Sequence, residues 1–215
     1  MQEFEKVMHR RQISKILDAL KKKKYDPYFF ETRKEARDFI PTLILPEETV
    51  GVGGSVTLRN ELGVVELLKA RGNTVYDHWD TGQDKKKRAE IKAKHRGADV
   101  FLSSLNAITV DGVIVNLDGG GNRVGALCSG PGKVIVVAGT NKIVDSLDQA
   151  VHRTRNHAAI LNAISKERKL PCVETGICSD CSAPERMCAA LLILLKRPND
   201  IAKFTVVLIN EELGF

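Results

Sequence analysis

Four of the five cysteines lie close together near the carboxyl end of the chain, in the pattern Cys172-x5-Cys178-x2-Cys181-x6-Cys188. Crowded thiols in a reducing compartment indicate a metal site rather than disulfides, and thiolates bind zinc or iron–sulfur clusters. Structural zinc usually uses two Cys-x2-Cys pairs. One such pair is present, so the spacing favours a four-iron cluster over zinc. A set of buried, unligated thiols is the alternative, and Cys128 is expected to be a core residue.

A glycine-rich turn, GVGGSVT at residues 51–57, leaves an apolar predicted strand and enters a predicted helix. Backbone N–H groups at Gly53 and Gly54 can approach a ligand closely, and Ser55 can cap the helix or donate to an anion. The amino end of a helix also favours negative charge. Arg59, one turn later, can complete a clamp for a phosphate or carboxylate. A tight strand–helix connection without a ligand is the alternative.

The same turn departs from the dinucleotide-binding fingerprint, because Val56 occupies the place of the third glycine. Asp77, however, ends the next predicted strand, where a carboxylate that binds ribose would lie. A Rossmann-type nucleotide binder therefore stays open as an alternative.

Polar residues concentrate at predicted strand ends and turns between Ser104 and Lys142. Such groups face the ligand crevice when they follow the carboxyl ends of strands in an open α/β sheet. The consecutive glycines at 119–121 also form a backbone site for an anion. Ordinary turn chemistry is the alternative, and it explains Asp111-Gly112 better than it explains residues 118–123. The residues expected to line the cleft, together with Gly53, Gly54, Ser55 and Arg59, are Asn106, Thr109, Gly119, Gly120, Gly121, Asn122, Arg123, Asn141 and Lys142.

Three carboxylates are candidates for proton transfer, namely Asp111, Asp118 and Glu61. Each also suits a structural role, and spacing alone indicates no general base. His152 and His157 are five residues apart on a predicted helix, so they do not share a face that could hold a metal.

The elements that must position these residues alternate between strand and helix patterns. After an amphipathic helix at 3–22 and a strand at 26–31, predicted strands alternate with predicted helices at 55–70, 85–96 and 147–164. This rhythm predicts a single three-layer α/β domain, with a mostly parallel sheet covered by helices on both faces. Residues 1–41 form an N-terminal helical extension, and 42–170 form the α/β core. Residues 171–215 hold the Cys-rich loop, a helix at 185–195 and a closing strand at 204–209.

Composition narrows the classes of partner. The net charge is +6, but aromatic residues make up only 5% of the chain, whereas binders that stack nucleic acid bases need them. The basic runs at 21–24 and 85–88 are interpreted as solvated helix ends. The amino end lacks the apolar core of a signal peptide, and the longest apolar run, 189–195, is too short to cross a bilayer. We therefore expect a cytoplasmic protein without a membrane or nucleic-acid partner.

The central run resembles the sugar-phosphate isomerase and CoA-transferase superfamily. Residues 104–108 (SLNAI) and 115–119 (VNLDG) match the isomerase pattern Gly-Ala-Asp-x-Ile and Val-x-Asn-Lys-x-Gly-Thr in position. The acid/base aspartate of those enzymes falls on Asn106, which cannot exchange protons. The resemblance therefore implies the fold and the cleft rather than the isomerase chemistry.

Nearly the whole chain resembles the LUD, or lactate-utilisation, domain family. The resemblance rests on VGVGGSVTLRNELG, the central run, LDQAVHRTRNHAAILNA and PCVETGICSDCSAPERMC. Relatives tend to have proline at the place of Ile160 and a basic residue near Ile164, which bears only on the end of that helix. The family implies a link to lactate or organic-acid oxidation, with iron–sulfur or oxidase proteins as partners.

Two classes of function follow from these observations. The first is a protein that binds a small anionic metabolite, as an enzyme or as a subunit of one that oxidises a small carboxylate. The second is a non-catalytic redox, assembly or regulatory protein whose cysteine site carries the function. The sequence leaves the oligomeric state open, a homo-oligomer included.

Overall fold

The computed structural model describes residues 3–215, with the side chains of residues 7, 8 and 10–215. The helices are α1 Glu3–Lys22, α2 Arg33–Phe39, α3 Val64–Ala70, α4 Lys85–Lys94, α5 Asn122–Cys128, α6 Leu147–Arg153, α7 Ala159–Ile164 and α8 Pro171–Thr175. The strands are β1 Asp26–Phe30, β2 Val50–Val52, β3 Val75–Asp77, β4 Val100–Ser104, β5 Ala107–Thr109, β6 Ile114–Asp118, β7 Lys133–Gly139, β8 Ile143–Val144, β9 Ala190–Leu194 and β10 Lys203–Ile209.

The centre of the molecule is a six-stranded parallel sheet in the order β1-β10-β7-β4-β2-β3. Its middle strands are almost continuously apolar and β-branched, as expected for strands that are buried on both faces. On one face, α1 and α5 cover the sheet together with parts of the second sheet. On the other face lie α2, α3 and the turn that follows β2. The predicted α/β fold, with helices on both faces of a parallel sheet, is thereby confirmed.

A second sheet of four strands, in the order β8-β5-β6-β9, packs beside the first. Its β5 and β6 form a hairpin whose turn contains Asp111-Gly112, where the sequence predicted a turn, and Gly112 adopts a left-handed φ of 82° that favours glycine. The sequence did not predict β5 or β8, which are only three and two residues long.

The prediction of a helix at residues 185–195 is wrong, because β9 occupies Ala190–Leu194 and pairs antiparallel with β6. Exposure alternates along this segment, with Leu191 and Ile193 exposed and Leu194 buried. The run of leucine and isoleucine is continuous and short, so its periodicity does not distinguish a helix from a strand. Pairing along the open edge of β6 therefore determines its conformation.

Two predicted helices are each interrupted by a π-helical turn. The helix predicted at 55–70 is a π turn at Thr57–Glu61 followed by α3, and Gly63, with a φ of 66°, separates them. The helix predicted at 147–164 is present as α6, a π turn at Thr154–Ala158 and α7. Single π turns within helices often occur at functional sites, and both of these border the cleft described below.

The first 41 residues are more closely joined to the core than an extension would be, since β1 forms the edge of the main sheet beside β10. Apolar residues of α1 enter the core, among them Ile16 and Leu20. Of the helices that the structure describes, none is long and apolar enough to cross a membrane.

Gly139, at the end of β7, tests how closely the carboxyl-terminal segment packs on the sheet. A Cβ added there would overlap the carbonyl oxygen of Glu211 and lie 2.7 Å from the backbone nitrogen of Leu213. We expect Gly139→Ala to lower the free energy of unfolding by about 2 kcal/mol, because both contacts are with backbone that must shift. Urea unfolding measures the loss. The matched control is Gly97→Ala, whose Cβ would meet no atom within 4 Å; equal losses in the two variants would contradict the prediction.

Candidate functional site

A cleft of about 780 Å³ opens at the carboxyl ends of β2, β4 and β6. The turn after β2 and the segment after β3 form one wall, and the turn after β6 with the start of α5 forms another. The start of α7, the loop at 184–187 and the last two residues complete it. This is the edge of a parallel α/β sheet at which ligands bind, and the volume lies in the range of small-molecule sites.

The structure brings eight of the predicted ligand-binding residues into this cleft and leaves five outside its lining. Those that line it are Gly54, Ser55, Asn106, Gly119, Gly120, Asn122, Arg123 and Lys142. Those that do not are Gly53, Arg59, Thr109, Gly121 and Asn141. Among the carboxylates proposed for proton transfer, Asp118 lines the cleft, whereas Asp111 and Glu61 do not.

Arg59 has a structural role in place of the anion clamp that the sequence predicted. Its Nε donates to Asp77 at 2.9 Å, its Nη2 also donates to Asp77, and its Nη1 donates at 3.0 Å to the carbonyl oxygens of both Gly53 and Ser55. The guanidinium also stacks over Trp79, 4.2 Å from the ring centroid. Both charged side chains are almost fully buried. Arg59 therefore fastens the glycine turn to β3 instead of facing a ligand.

Asp77 is occupied by the same interaction, so it cannot bind a ribose as the nucleotide alternative required. Burial would raise the pKa of this carboxyl, but hydrogen bonds from Arg59 and from the Trp79 N–H outweigh burial and hold the pKa below its usual value. Asp77 is therefore ionised and paired at neutral pH. The observation that favoured a dinucleotide is thereby removed.

Asp77→Asn tests this buried pair. It leaves a buried guanidinium without its counter-charge, and we expect a loss of about 3 kcal/mol in the free energy of unfolding. In the double variant with Arg59→Met the loss should fall at least about 1 kcal/mol short of the sum of the single losses. Urea unfolding of the four proteins gives the coupling. The control is Glu66→Gln, which breaks an exposed pair with Lys69 and should cost under about 1 kcal/mol. A coupling near zero would argue against the role given to Arg59.

The predicted turn at 118–123 is built around Arg123. Asp118 accepts a hydrogen bond from the Arg123 backbone N–H at 2.8 Å, which holds the start of α5 against the end of β6. The Arg123 guanidinium donates to Asn106 Oδ1 at 3.2 Å and to the carbonyl of Leu117 at 2.5 Å. Asn106 Oδ1 also accepts from the Leu117 N–H at 2.8 Å. This network fixes a half-buried cation in the cleft wall; burial lowers the pKa of Arg123, and Asp118 opposes that shift.

The remaining predicted residues lie in supporting positions. Thr109 donates its hydroxyl proton to Asp111 within the β5–β6 hairpin, and Asp111 lies 3.8 Å from Lys23 on the outside of the molecule. Asn141 is bonded to the backbone of the final residues, with its Oδ1 accepting from Leu213 at 3.2 Å. Glu61 accepts from the Gly214 N–H at 3.1 Å.

Positive charge dominates the cleft to a degree that sequence reasoning missed. Seven lysine and arginine side chains line it against two carboxylates, Asp118 and Glu185; the basic residues are Arg88, Lys92, Arg123, Lys142, Lys166, Arg168 and Arg186. Arg88 belongs to the run at 85–88 that was expected to be a solvated helix end. Its spacing of four from Lys92 was the available signal, since residues i and i+4 share a helix face.

Two buried histidines, His78 and His95, lie beside the cleft with ring centroids 5.5 Å apart, and His78 is part of the lining. Burial is the main cause that lowers the pKa of each to about 4. Both are therefore neutral at pH 7 and do not add to the positive charge.

The LUD-domain family model matches residues 13–209 of the chain. The chain belongs to the LUD-domain family. A solved structure of a DUF162 family protein from Deinococcus radiodurans resembles this LUD domain with a TM-score of 0.54 and 14% sequence identity, over 93% of this chain and 97% of that one. At this identity the likeness shows the fold alone. No curated protein sequence matches the chain.

The cysteine loop of this LUD domain runs from α8 to β9 beside the cleft. Cys172, Cys178, Cys181 and Cys188 are half-buried free thiols. Burial, and then the nearby Cys181, Cys178 and Cys188, raise the pKa of Cys172. In the part of the chain that the structure describes, no three His, Cys, Asp or Glu side chains converge to hold a metal ion. Cys128 packs against the core, as predicted.

Two arginines hold this loop. Arg155 Nη2 lies 3.6 Å from Cys178 Sγ and 2.8 Å from Asp180. Arg186 donates to the carbonyl oxygens of Cys181 and Cys188, at 2.6 and 3.0 Å, and to Asp180 at 2.7 Å. Because Arg186 also lines the cleft, the cysteine loop and the cleft share a wall.

Proposed function

We propose that this LUD-domain protein binds a small anionic metabolite, a carboxylate or phosphate compound, in the cleft, in connection with lactate or organic-acid oxidation. The observation that carries the proposal is the excess of seven basic over two acidic side chains in the lining. Like charges in one cavity repel and lower stability, while a cleft of one sign concentrates ligands of the opposite sign. The cost is offset when an anion binds.

Donor groups and glycine turns also face the same space. A Cβ on Gly120 would lie 3.7 Å from Lys92 Nζ, and a Cβ on Gly54 would lie 3.7 Å from both His78 Nε2 and Trp79 Nε1. The absence of side chains at the two glycines therefore leaves room for an anion next to these donors. Asp118 is the one carboxylate among the three candidates that lines the cleft, and it is the group that would transfer a proton if the bound anion reacts.

Lys92→Gln tests the anion site, because it removes one positive charge from the cleft. Lys92 makes no hydrogen bond to the rest of the described chain, so the substitution breaks no internal bond. We expect binding of pyruvate, lactate or inorganic phosphate to weaken about tenfold, the loss typical of one charge-assisted hydrogen bond. Isothermal titration calorimetry at constant ionic strength measures it. The matched control is Lys86→Gln, on an exposed position of the same helix, with an effect under about twofold. Equal effects, or no anion binding by the unaltered protein, would contradict the proposal.

A second part of the proposal concerns the cysteine loop. We infer that Cys172, Cys178, Cys181 and Cys188 bind a four-iron cluster, with zinc as the alternative, because four soft donors on one short loop suit either group. Arg155 and Arg186 support this, since cations beside thiolate ligands stabilise negative charge. A redox or assembly role, with an iron–sulfur or oxidase protein as partner, would follow from such a site.

Anaerobic purification followed by iron, sulfide and zinc analysis tests the metal site. We expect about four irons and four sulfides per chain with a broad absorption band near ~400 nm, as thiolate-bound clusters show. The variant Cys178→Ser/Cys181→Ser should lose them, and Cys128→Ser should retain them. One zinc per chain in a colourless protein would show that the four cysteines hold zinc instead of a cluster. A protein that holds neither metal would remove this part of the proposal and leave the cleft.

A further inference from the structure

Lys142 is the most unusual charged residue in the cleft. It ends the 3-10 turn Thr140–Lys142 after β7, lines the cleft, and is only 2% exposed. Its amine has no hydrogen-bond or ion-pair partner among the residues that the structure describes. A buried ammonium without such partners is costly, so a structural role does not account for this lysine. Its Nζ lies 3.4 Å from where a Cβ on Gly214 would be, and Gly214 also lines the cavity.

The surroundings favour the uncharged amine. Burial is the main cause that lowers the pKa of Lys142 to about 7; the nearby Arg153 and Arg123 lower it further, and Glu61 opposes them. About half of the amine is therefore neutral at pH 7, whereas an ordinary lysine is almost fully protonated. A neutral lysine amine next to other cations is a nucleophile, and carbonyl carbons are its usual targets.

We propose that Lys142 forms a Schiff base with a small aldehyde or ketone that carries a carboxylate or phosphate group. The amine nitrogen attacks the carbonyl carbon, the C=O bond is replaced by a C=N bond, and the two amine protons leave with the carbonyl oxygen as water. No oxidant or reductant is required. The inference rests on the proposed function, because the cationic lining holds the anionic group while the amine reacts.

Glu61, which lies outside the cleft lining, is a carboxylate whose charge acts on Lys142. One oxygen accepts the Gly214 N–H at 3.1 Å, while the other, Oε2, is buried without a hydrogen-bond partner in the described chain. Its negative charge reaches Lys142, as its opposing influence on the lysine pKa shows. This charge opposes the loss of the lysine proton without contacting the amine.

Reductive trapping tests the inference. The protein is incubated with pyruvate or with dihydroxyacetone phosphate, one carrying a carboxylate and the other a phosphate, in the presence of sodium cyanoborohydride, and peptides are mapped by mass spectrometry. We expect an adduct on Lys142 that forms at least about tenfold faster than on any other lysine. Its rate should rise with pH to half its maximum near 7, because the neutral amine is the reacting form.

Two variants make the assignment. Lys142→Arg should abolish the adduct, whereas Lys86→Arg should keep it, because Lys86 is exposed on α4 and lies outside the cleft lining. If Lys142→Arg does not fold, the site map and the pH profile of the unaltered protein decide the matter by themselves. Labelling that is spread over surface lysines, or that is absent with both probes, would overturn the inference. Calorimetry with phosphate separates the two failures. If the protein binds phosphate but no adduct is trapped, the Schiff base alone is rejected. If the protein neither binds phosphate nor forms an adduct, both proposals are rejected.

Discussion

Both faces of the main parallel sheet must be covered by other elements, and this constraint organises the rest of the LUD domain. The strands β4, β7 and β10 are buried over almost their whole length, with α1, α5 and part of the second sheet covering one side and α2 and α3 the other. Polar and charged groups are thereby confined to the strand ends. The cleft lies where this confinement leaves backbone and side chains free to be polar, at the carboxyl edge of the sheet.

The charges of the cleft are held by the same arrangement. Arg59 and Asp77 neutralise each other beneath the glycine turn, so this pair contributes rigidity rather than net charge. Arg123 is fixed by Asn106 and the end of β6. Among the residues that the structure describes, Lys142 and Lys92 have no such partners. The lining thus combines cations that the protein has paired for its own stability with cations that stay available to a ligand.

The fold and roughly half of the cleft could be predicted from the sequence. The strand–helix rhythm, the glycine turn and the run that contains Asn106, Asn122 and Arg123 are local patterns, and the structure retains them. Arg59 could not be distinguished from a ligand-binding arginine, because its partner Asp77 lies on the next strand, 18 residues away. The position of the α4 basic residues in the cleft could not be predicted. That helix has no buried residues, so no apolar stripe indicates which of its faces turns inward.

Other misses have a different cause. The strands β5 and β8 are too short for their periodicity to be measured. In β9, the leucine-rich run suits a helix as well as a strand, and only the open edge of β6 decides between them. Lys166 and Arg168 reach the cleft through a turn in which Glu167 adopts a left-handed φ of 50°. This conformation is uncommon for residues other than glycine, so the sequence does not predict it.

The π turn at Thr154–Ala158 has a consequence for how this chain can change in length. A π turn holds one residue more than the α-helical turn it replaces, and each residue rotates a helix by about 100°. Deleting a single residue there would restore regular winding and keep Ala159, Asn162 and Lys166 facing the cavity that they line. The same deletion in α6, where the winding is already regular, would rotate them by about 100° away from it. The π turn is therefore the place in this element where the loss of one residue leaves the cleft lining in register, whereas a change of length in α6 would displace it.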